Sequence, residues 1–297
     1  MLVLIKQYQH WYKIALVPLL SLSLYSFTAM GNEKNVIHWA GCGITKKAFM
    51  AELATAYEKK TDIKVDLQGG GATRGIRDTA QLKIDMGGTC RMTLPDQDLL
   101  EFRTTLHPVA WDALSIIVHK SNPVENLTTK QVKAIYKGEI TNWQQVGGKN
   151  MPIDLYVRKG KISGVGYAIR QYLFEKSNED FVSDHVVKSS GPLEKAVEKS
   201  QNAIGITGVS SARKRDVKIL AFNGKTPTYD NVKNGEYGLY RPLYLVTTPA
   251  PTKLVSDFIK FAQSKEGKQI IRDNQTVPYT DALNLMGKML IYGFGVK

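Results

Sequence analysis

The sequence predicts an α/β protein of two units, each a mostly parallel sheet flanked by helices, with two β-rich crossovers joining them. Three observations carry this prediction. Short β-rich runs alternate with amphipathic helical stretches, a rhythm that implies parallel strands covered by helices. Glycine-rich turns recur where a strand hands over to a helix. Two longer β-rich runs, at 113–119 and 243–247, break the alternation. The chain has 297 residues, which accommodates two units of medium size.

The alternation begins with a short strand at 36–39. Residues 47–59 carry Phe49, Met50, Leu53, Ala54 and Tyr57 at the spacing of one helix face. A strand at 63–67 runs into Gly69-Gly70-Gly71, followed by a helix at 74–83 and a strand end at 84–88. After the first β-rich run, Thr128 or Thr129 can cap a helix at 128–136. A strand at 153–157 and a helix at 165–175 follow. Ser189-Ser190-Gly191-Pro192 then reads as a helix start, with Pro192 suited to the first turn. A small apolar strand lies at 203–209, and helices are expected at 253–264 and 265–273.

The N-terminus has the pattern of an export signal at 1–31. Lys6 and Lys13 lead into an apolar run at 14–25, with small residues Thr28, Ala29 and Gly31 after it. That run is short for a bilayer span. The expected location is therefore periplasmic or otherwise extracytoplasmic. The formal net charge of +13 favours anionic partners. The lysines are scattered rather than blocked together, which argues against nucleic acid. No histidine pair has metal-ligand spacing, so a zinc site is not expected. The two cysteines, Cys42 and Cys90, permit one disulfide in an oxidising compartment.

Ligands of parallel α/β sheets bind beyond the carboxyl ends of the strands, where loops feed helix N-termini whose free N–H groups attract anions. Segments 40–47, 69–75, 87–91 and 158–166 have that placement. The glycine turn at 69–75 is neither a P-loop nor a dinucleotide fingerprint, and such a turn can be a plain tight connection. Segment 158–166 joins Arg158 and Lys159 to Ser163 and open amides before a helix, a combination that holds an oxyanion; as a basic run it can also be a solvated loop. No Gly-x-Ser-x-Gly elbow occurs, and Cys42 lacks the local signature of a cysteine protease.

Several stretches together resemble a family. Ala40-Gly41-Cys42-Gly43-Ile44-Thr45 before its helix, Tyr57-Glu58-Lys59-Lys60-Thr61, the Gly-Gly-Gly turn and Ile84-Asp85-Met86-Gly87-Gly88-Thr89 are similar to phosphate-binding proteins of bacterial ABC importers. Trp111-Asp112-Ala113-Leu114, Gly138-Glu139-Ile140-Thr141-Asn142-Trp143, Ser163-Gly164, Asn202-Ala203-Ile204-Gly205 and Arg241-Pro242-Leu243-Tyr244 continue the likeness in order. The resemblance implies a two-lobed class II periplasmic-binding-protein fold with lobes at 32–112 plus 245–297 and at 113–244. It further implies a monomer that captures a small anion with neither a metal nor any other cofactor, docks on a membrane ABC permease and performs no reaction. The alternatives are a non-transport anion sensor or scavenging module, and an enzyme built around Cys42 or Cys90.

The pocket implied by the resemblance comprises Gly43, Ile44, Thr45, Ala72, Thr73, Arg74, Thr89, Cys90, Arg158, Lys159, Ser163, Gly164 and Val165. It departs from the family pattern. The hydroxyl of the first loop falls at Ile44 or Thr45, the serine of the glycine turn becomes Ala72, the carboxylate after the third strand becomes Cys90, and Ser-Gly-Thr becomes Ser163-Gly164-Val165. A thiol is a poor acceptor, so the identity of the anion is left open. Arg74 and Arg91 read as added positive charge beside the same loops. In the implied topology the first and third strands are neighbours, which brings Cys42 and Cys90 within disulfide reach; two unlinked buried thiols are the alternative.

Overall fold

The computed structural model describes residues 35–292. The expected export signal at 1–31 lies outside them. In chain order the strands are β1 (Val36–Gly41), β2 (Lys64–Gln68), β3 (Met86–Thr89), β4 (Thr105–His119), β5 (Asn126–Leu127), β6 (Asp154–Arg158), β7 (His185–Val187), β8 (Ala203–Gly208), β9 (Val217–Ile219), β10 (Ala221–Phe222), β11 (Tyr240–Thr247) and β12 (Val277–Pro278). Hydrogen bonding orders them β2-β1-β3-β11-β4-β8-β6-β7, with β9 and β12 also on β4. The two wings are parallel: β1 lies between β2 and β3, and β6 between β7 and β8. The centre is antiparallel, where β11 pairs with β3 and β4.

β4 links the wings. Through Ala113 it pairs with β11, and from Leu114 onward with β8. The sequence suggested a β-rich run from 113 only, because Pro108 and polar neighbours disguise its first half. The ladder accommodates that proline at an irregularity, where pairing steps from Leu243↔Ala110 to Tyr244↔Pro108 and leaves Val109 unpaired. Bulges are where a sheet tolerates a residue without an N–H.

The helices follow the apolar spacing closely. Ile37 and Trp39 of β1 and Phe49, Met50 and Leu53 of the following helix are at most 1% exposed. Each such side chain removed from water contributes about 1.5–3 kcal/mol. That helix starts at Gly43 and passes through one wider turn, Lys46–Met50, before ending at Thr61. The glycine turn feeds a helix that starts earlier than expected, Ala72–Ala80, and Gly71 takes φ 93°, a conformation that favours glycine. Thr128 is the cap of helix Thr129–Tyr136, in a reciprocal pair with Gln131. A small apolar cluster of Ile117, Leu193, Val197, Ala203 and Ala212 seats helix Ser190–Lys199. Pro192 lies in its first turn.

Candidate functional site

The carboxyl ends of β1, β3 and β6 and the loops after β2 and β7 meet around one cavity of about 220 Å³. Four helix starts contribute to its wall: Gly43, the turn Gly69-Gly70-Gly71-Ala72, the pair Gly164-Val165 and the run Ser189-Ser190-Gly191. Cys42 and Cys90 form one part of the wall, and Lys47, Arg158, Ser211 and Arg215 supply its polar part. Of the residues expected at the site, Gly43, Ala72, Cys90, Arg158, Gly164 and Val165 line this cavity.

The other expected residues lie outside the cavity wall, and most of their polar atoms are engaged elsewhere. Ile44 is fully buried, with its side chain against Gly208. Thr45 donates to the Thr89 carbonyl at 3.3 Å, and Thr89 donates to the Arg91 carbonyl at 3.0 Å. Thr73 donates to the Ile162 carbonyl at 3.4 Å. Ser163 caps its helix by accepting from the Gly166 amide at 3.2 Å. Lys159 is exposed outside the cavity wall. Arg74 binds Asp78, one helical turn on, together with Gln68 and the Gly69 carbonyl. Arg91 holds Glu101 through two bonds of 2.8 and 2.9 Å. The positive charge read into the site from Arg74 and Arg91 is thus matched by carboxylates of the same wing.

Charge in the cavity is uneven. Glu194, fully buried beside it, accepts from Lys47 at 3.0 Å, Thr207 at 2.7 Å and Arg215 at 3.1 Å, and also from Ser211. Burial pushes its carboxyl up, but the Ser211 and Thr207 hydroxyls and the Lys47 charge outweigh that and hold it below the usual range. Lys47 and Arg215 thus share Glu194, and Arg215 also lies 3.8 Å from the Glu198 carboxylate, so the two cations face two carboxylates. Arg158 donates to Ser190 Oγ at 2.8 Å and to the Lys188 carbonyl at 2.9 Å. No carboxylate lies within ion-pair reach of it among the described residues, and its buried Nε has no partner. Burial lowers its pKa, but arginine remains charged at neutral pH.

The two sulfurs are 2.6 Å apart, and both cysteines are free and buried. The Cys42 thiol is pulled down to about 6, chiefly by the hydrogen bond from Cys90; burial opposes this, while the Arg241 charge and the Thr45 and Ile44 amides add to it. Cys90 is correspondingly raised. Among the described residues, no histidine lines the cavity. A second cavity of about 180 Å³ shares Cys90, but Met92, Leu94, Tyr167, Tyr172, Tyr244 and Met289 give it a largely apolar wall less suited to an oxyanion.

Sequence reasoning missed Lys47, Ser189, Ser190, Gly191, Ser211 and Arg215. The loop 189–191 was legible, since it follows β7 and opens a helix just as the four chosen loops do. Lys47 ends segment 40–47 and so lay in a chosen loop; Ser211 and Arg215 carry no comparable local signal, and packing of separate elements brings them to the wall.

Comparison with known proteins agrees with this architecture. The Borreliella burgdorferi phosphate-binding protein PstS is 28% identical over 272 residues, covering 88% of this chain and 96% of the relative. The Bacillus subtilis PstS is 24% identical over 261 residues, covering 86% and 85%. A Clostridium perfringens crystal structure, described as a phosphate ABC transporter substrate-binding protein with bound phosphate, superposes with a TM-score of 0.75 at 27% identity, over 82% of this chain and 99% of that one. These neighbours share the two-lobed α/β plan. Residues 33–266 match the family model of the PBP superfamily domain, and with the strand-end loops gathered around one cavity, the chain belongs to that superfamily.

Proposed function

We propose that this chain is an extracytoplasmic solute-binding protein that captures phosphate or a related small oxyanion for an ABC importer. The observation that carries the proposal is Arg158: a cation in the cavity wall without a carboxylate partner, its Nε unpaired, beside the start of helix Ser190–Lys199. Arginine holds oxyanions through parallel N–H bonds, and helix starts add amides and a favourable dipole. The names of the relatives support phosphate as the first anion to test.

In this reading the lobes, 32–112 plus 245–297 and 113–244, close over the anion as a monomer, and the closed form docks on a membrane permease. The binding set is Gly43, Ala72, Cys90, Arg158, Gly164 and Val165 together with Lys47, Ser189, Ser190 and Gly191. No described helix is long and apolar enough to cross a membrane. A hydrolytic or acyl-transfer reaction at Cys42 would need an acid–base partner such as histidine beside the sulfur, and the side chain hydrogen-bonded to it is a second thiol.

A thermal-shift panel of phosphate, sulfate, arsenate, molybdate and organic phosphates tests the proposal. A bound anion at 100 times its Kd adds about 2.7 kcal/mol to stability, a rise in Tm of several degrees. If no anion of the panel shifts the melting temperature, the proposal fails.

A further inference from the structure

We propose that Cys42 and Cys90 are a redox-active pair in the cavity wall, and that their oxidation to a disulfide by a low-molecular-weight or protein disulfide tightens oxyanion binding. This rests on the anion reading above.

The geometry comes from strand pairing. Cys42 follows β1 and Cys90 follows β3, and these neighbouring parallel strands align Gly41 with Gly88. The Cys42 amide donates to the Gly88 carbonyl at 2.9 Å, which fixes the two chain segments side by side. Both cysteines line the same cavity, with their sulfurs 2.6 Å apart. A disulfide bond requires about 2.05 Å, so forming it calls for only a small side-chain adjustment. Gly164 packs directly on this pair: a Cβ there would stand 2.3 Å from Cys90 Sγ.

The consequence for binding is electrostatic. The hydrogen bond between the two sulfurs lowers the Cys42 thiol and raises the Cys90 thiol, so the negative charge of the reduced pair falls on Cys42, in the cavity wall. Arg158 interacts electrostatically with both sulfurs. The thiolate, which Arg241 also attracts, therefore competes with an incoming oxyanion for Arg158 and repels the anion as well. Oxidation removes that charge.

The exchange balances. The Cys42 thiolate attacks one sulfur of the oxidant R–S–S–R, forming Cys42–S–S–R and releasing R–S⁻, which takes a proton from solvent. Cys90 gives its proton to solvent, and its thiolate attacks Cys42 Sγ; the Cys42–Cys90 bond forms and the second R–S⁻ leaves and is protonated. One proton is consumed overall. The protein loses two electrons, and the oxidant is reduced to two R–SH.

The test equilibrates the full chain in a series of reduced and oxidised dithiothreitol. Alkylation with mass spectrometry counts thiols, and calorimetry measures phosphate affinity at each ratio. The expected result is loss of both thiols within one monomer and a phosphate Kd at least about tenfold lower in the oxidised form, as removal of one charge from the cavity requires. Two alkylated thiols at every ratio, an intermolecular disulfide, or equal Kd values in the two forms would each overturn the proposal. Phosphate binding in neither form would sink the anion reading and the tightening with it, while the thiol count still reports separately whether the pair oxidises. In a Cys42→Ser/Cys90→Ser variant the Kd should no longer respond to oxidant; a persisting response overturns the assignment. The wild-type arms decide the matter even if that variant fails to fold.

Discussion

Arg241 and Asp112 face each other across the β4–β11 ladder, with Nη2 and Oδ2 3.8 Å apart and each side chain 1% exposed. The pair sits where β4 passes from one wing of the sheet to the other. Arg241 Nη1 also donates to the carbonyls of Cys90 at 3.3 Å and Gly164 at 3.2 Å. One guanidinium thus joins the central strands to two loops of the cavity.

Removing one member of a buried ion pair strands the other charge in a poorly solvated place. Arg241→Met is expected to cost about 3–5 kcal/mol of stability. Asp112→Asn should also destabilise, and the double variant should lose less than the sum of the two, with a coupling of about 0.5–3 kcal/mol. Urea midpoints at unchanged m-value measure this.

Glu101 should give the fold an acid-sensitive component. Burial pushes its carboxyl up, but Arg91, the Leu94 amide and Arg77 overcome this and hold it below the ordinary range. A depressed folded value means that the stabilisation is fully present above the unfolded carboxyl range, near about pH 4.3, and is lost as the pH falls through the folded value. Glu101→Gln is expected to cost about 3 kcal/mol at pH 7, with the deficit shrinking as the pH falls below about 4. Denaturation curves of both proteins from pH 3 to 7 check this.

Arg158 should dominate anion affinity. A hydrogen bond to a charged group is worth about 1.5–3 kcal/mol, so Arg158→Ala should weaken phosphate binding by roughly 10–100-fold. Lys159→Ala and Arg74→Ala, whose side chains lie outside the cavity wall, should stay within about twofold of the parent. Calorimetric titration of the three variants separates these outcomes, and equal losses in all three would point to general charge rather than to one socket.

Gly164 is constrained by a close approach. A Cβ there would meet Cys90 Sγ at 2.3 Å and Ala72 Cβ at 3.0 Å. Gly164→Ala should cost about 1–3 kcal/mol as the loops move apart, and should weaken the anion along with stability. Gly287→Ala, which lies outside the cavity wall and meets nothing within 4 Å, is the control. Melting temperatures with and without phosphate test both.

Much of the architecture was legible in the chain because short-range chemistry encodes it. The apolar spacing of Phe49, Met50, Leu53 and Tyr57 marks a helix face wherever the helix packs. Glycine at Gly71 marks a turn whose φ other residues avoid. Thr128 with Gln131 marks a helix start through a bond between neighbours. The first half of β4 was not legible, because Pro108 conceals a strand that its partners β11 and β12 hold in place.

By itself the sequence determined the alternation of strands and helices and the strand-end loops, since each follows from local pattern; the proximity of Cys42 to Cys90 followed only from the topology that the family resemblance implies. Tertiary structure alone decided which charges reach the cavity uncompensated. Arg74, Arg91, Arg158 and Arg215 are alike in composition, yet Asp78, Glu101 and Glu194 engage three of them and leave Arg158 without a carboxylate. That outcome depends on which buried carboxylate lies within a few ångströms, a distance set by packing between segments far apart in the chain.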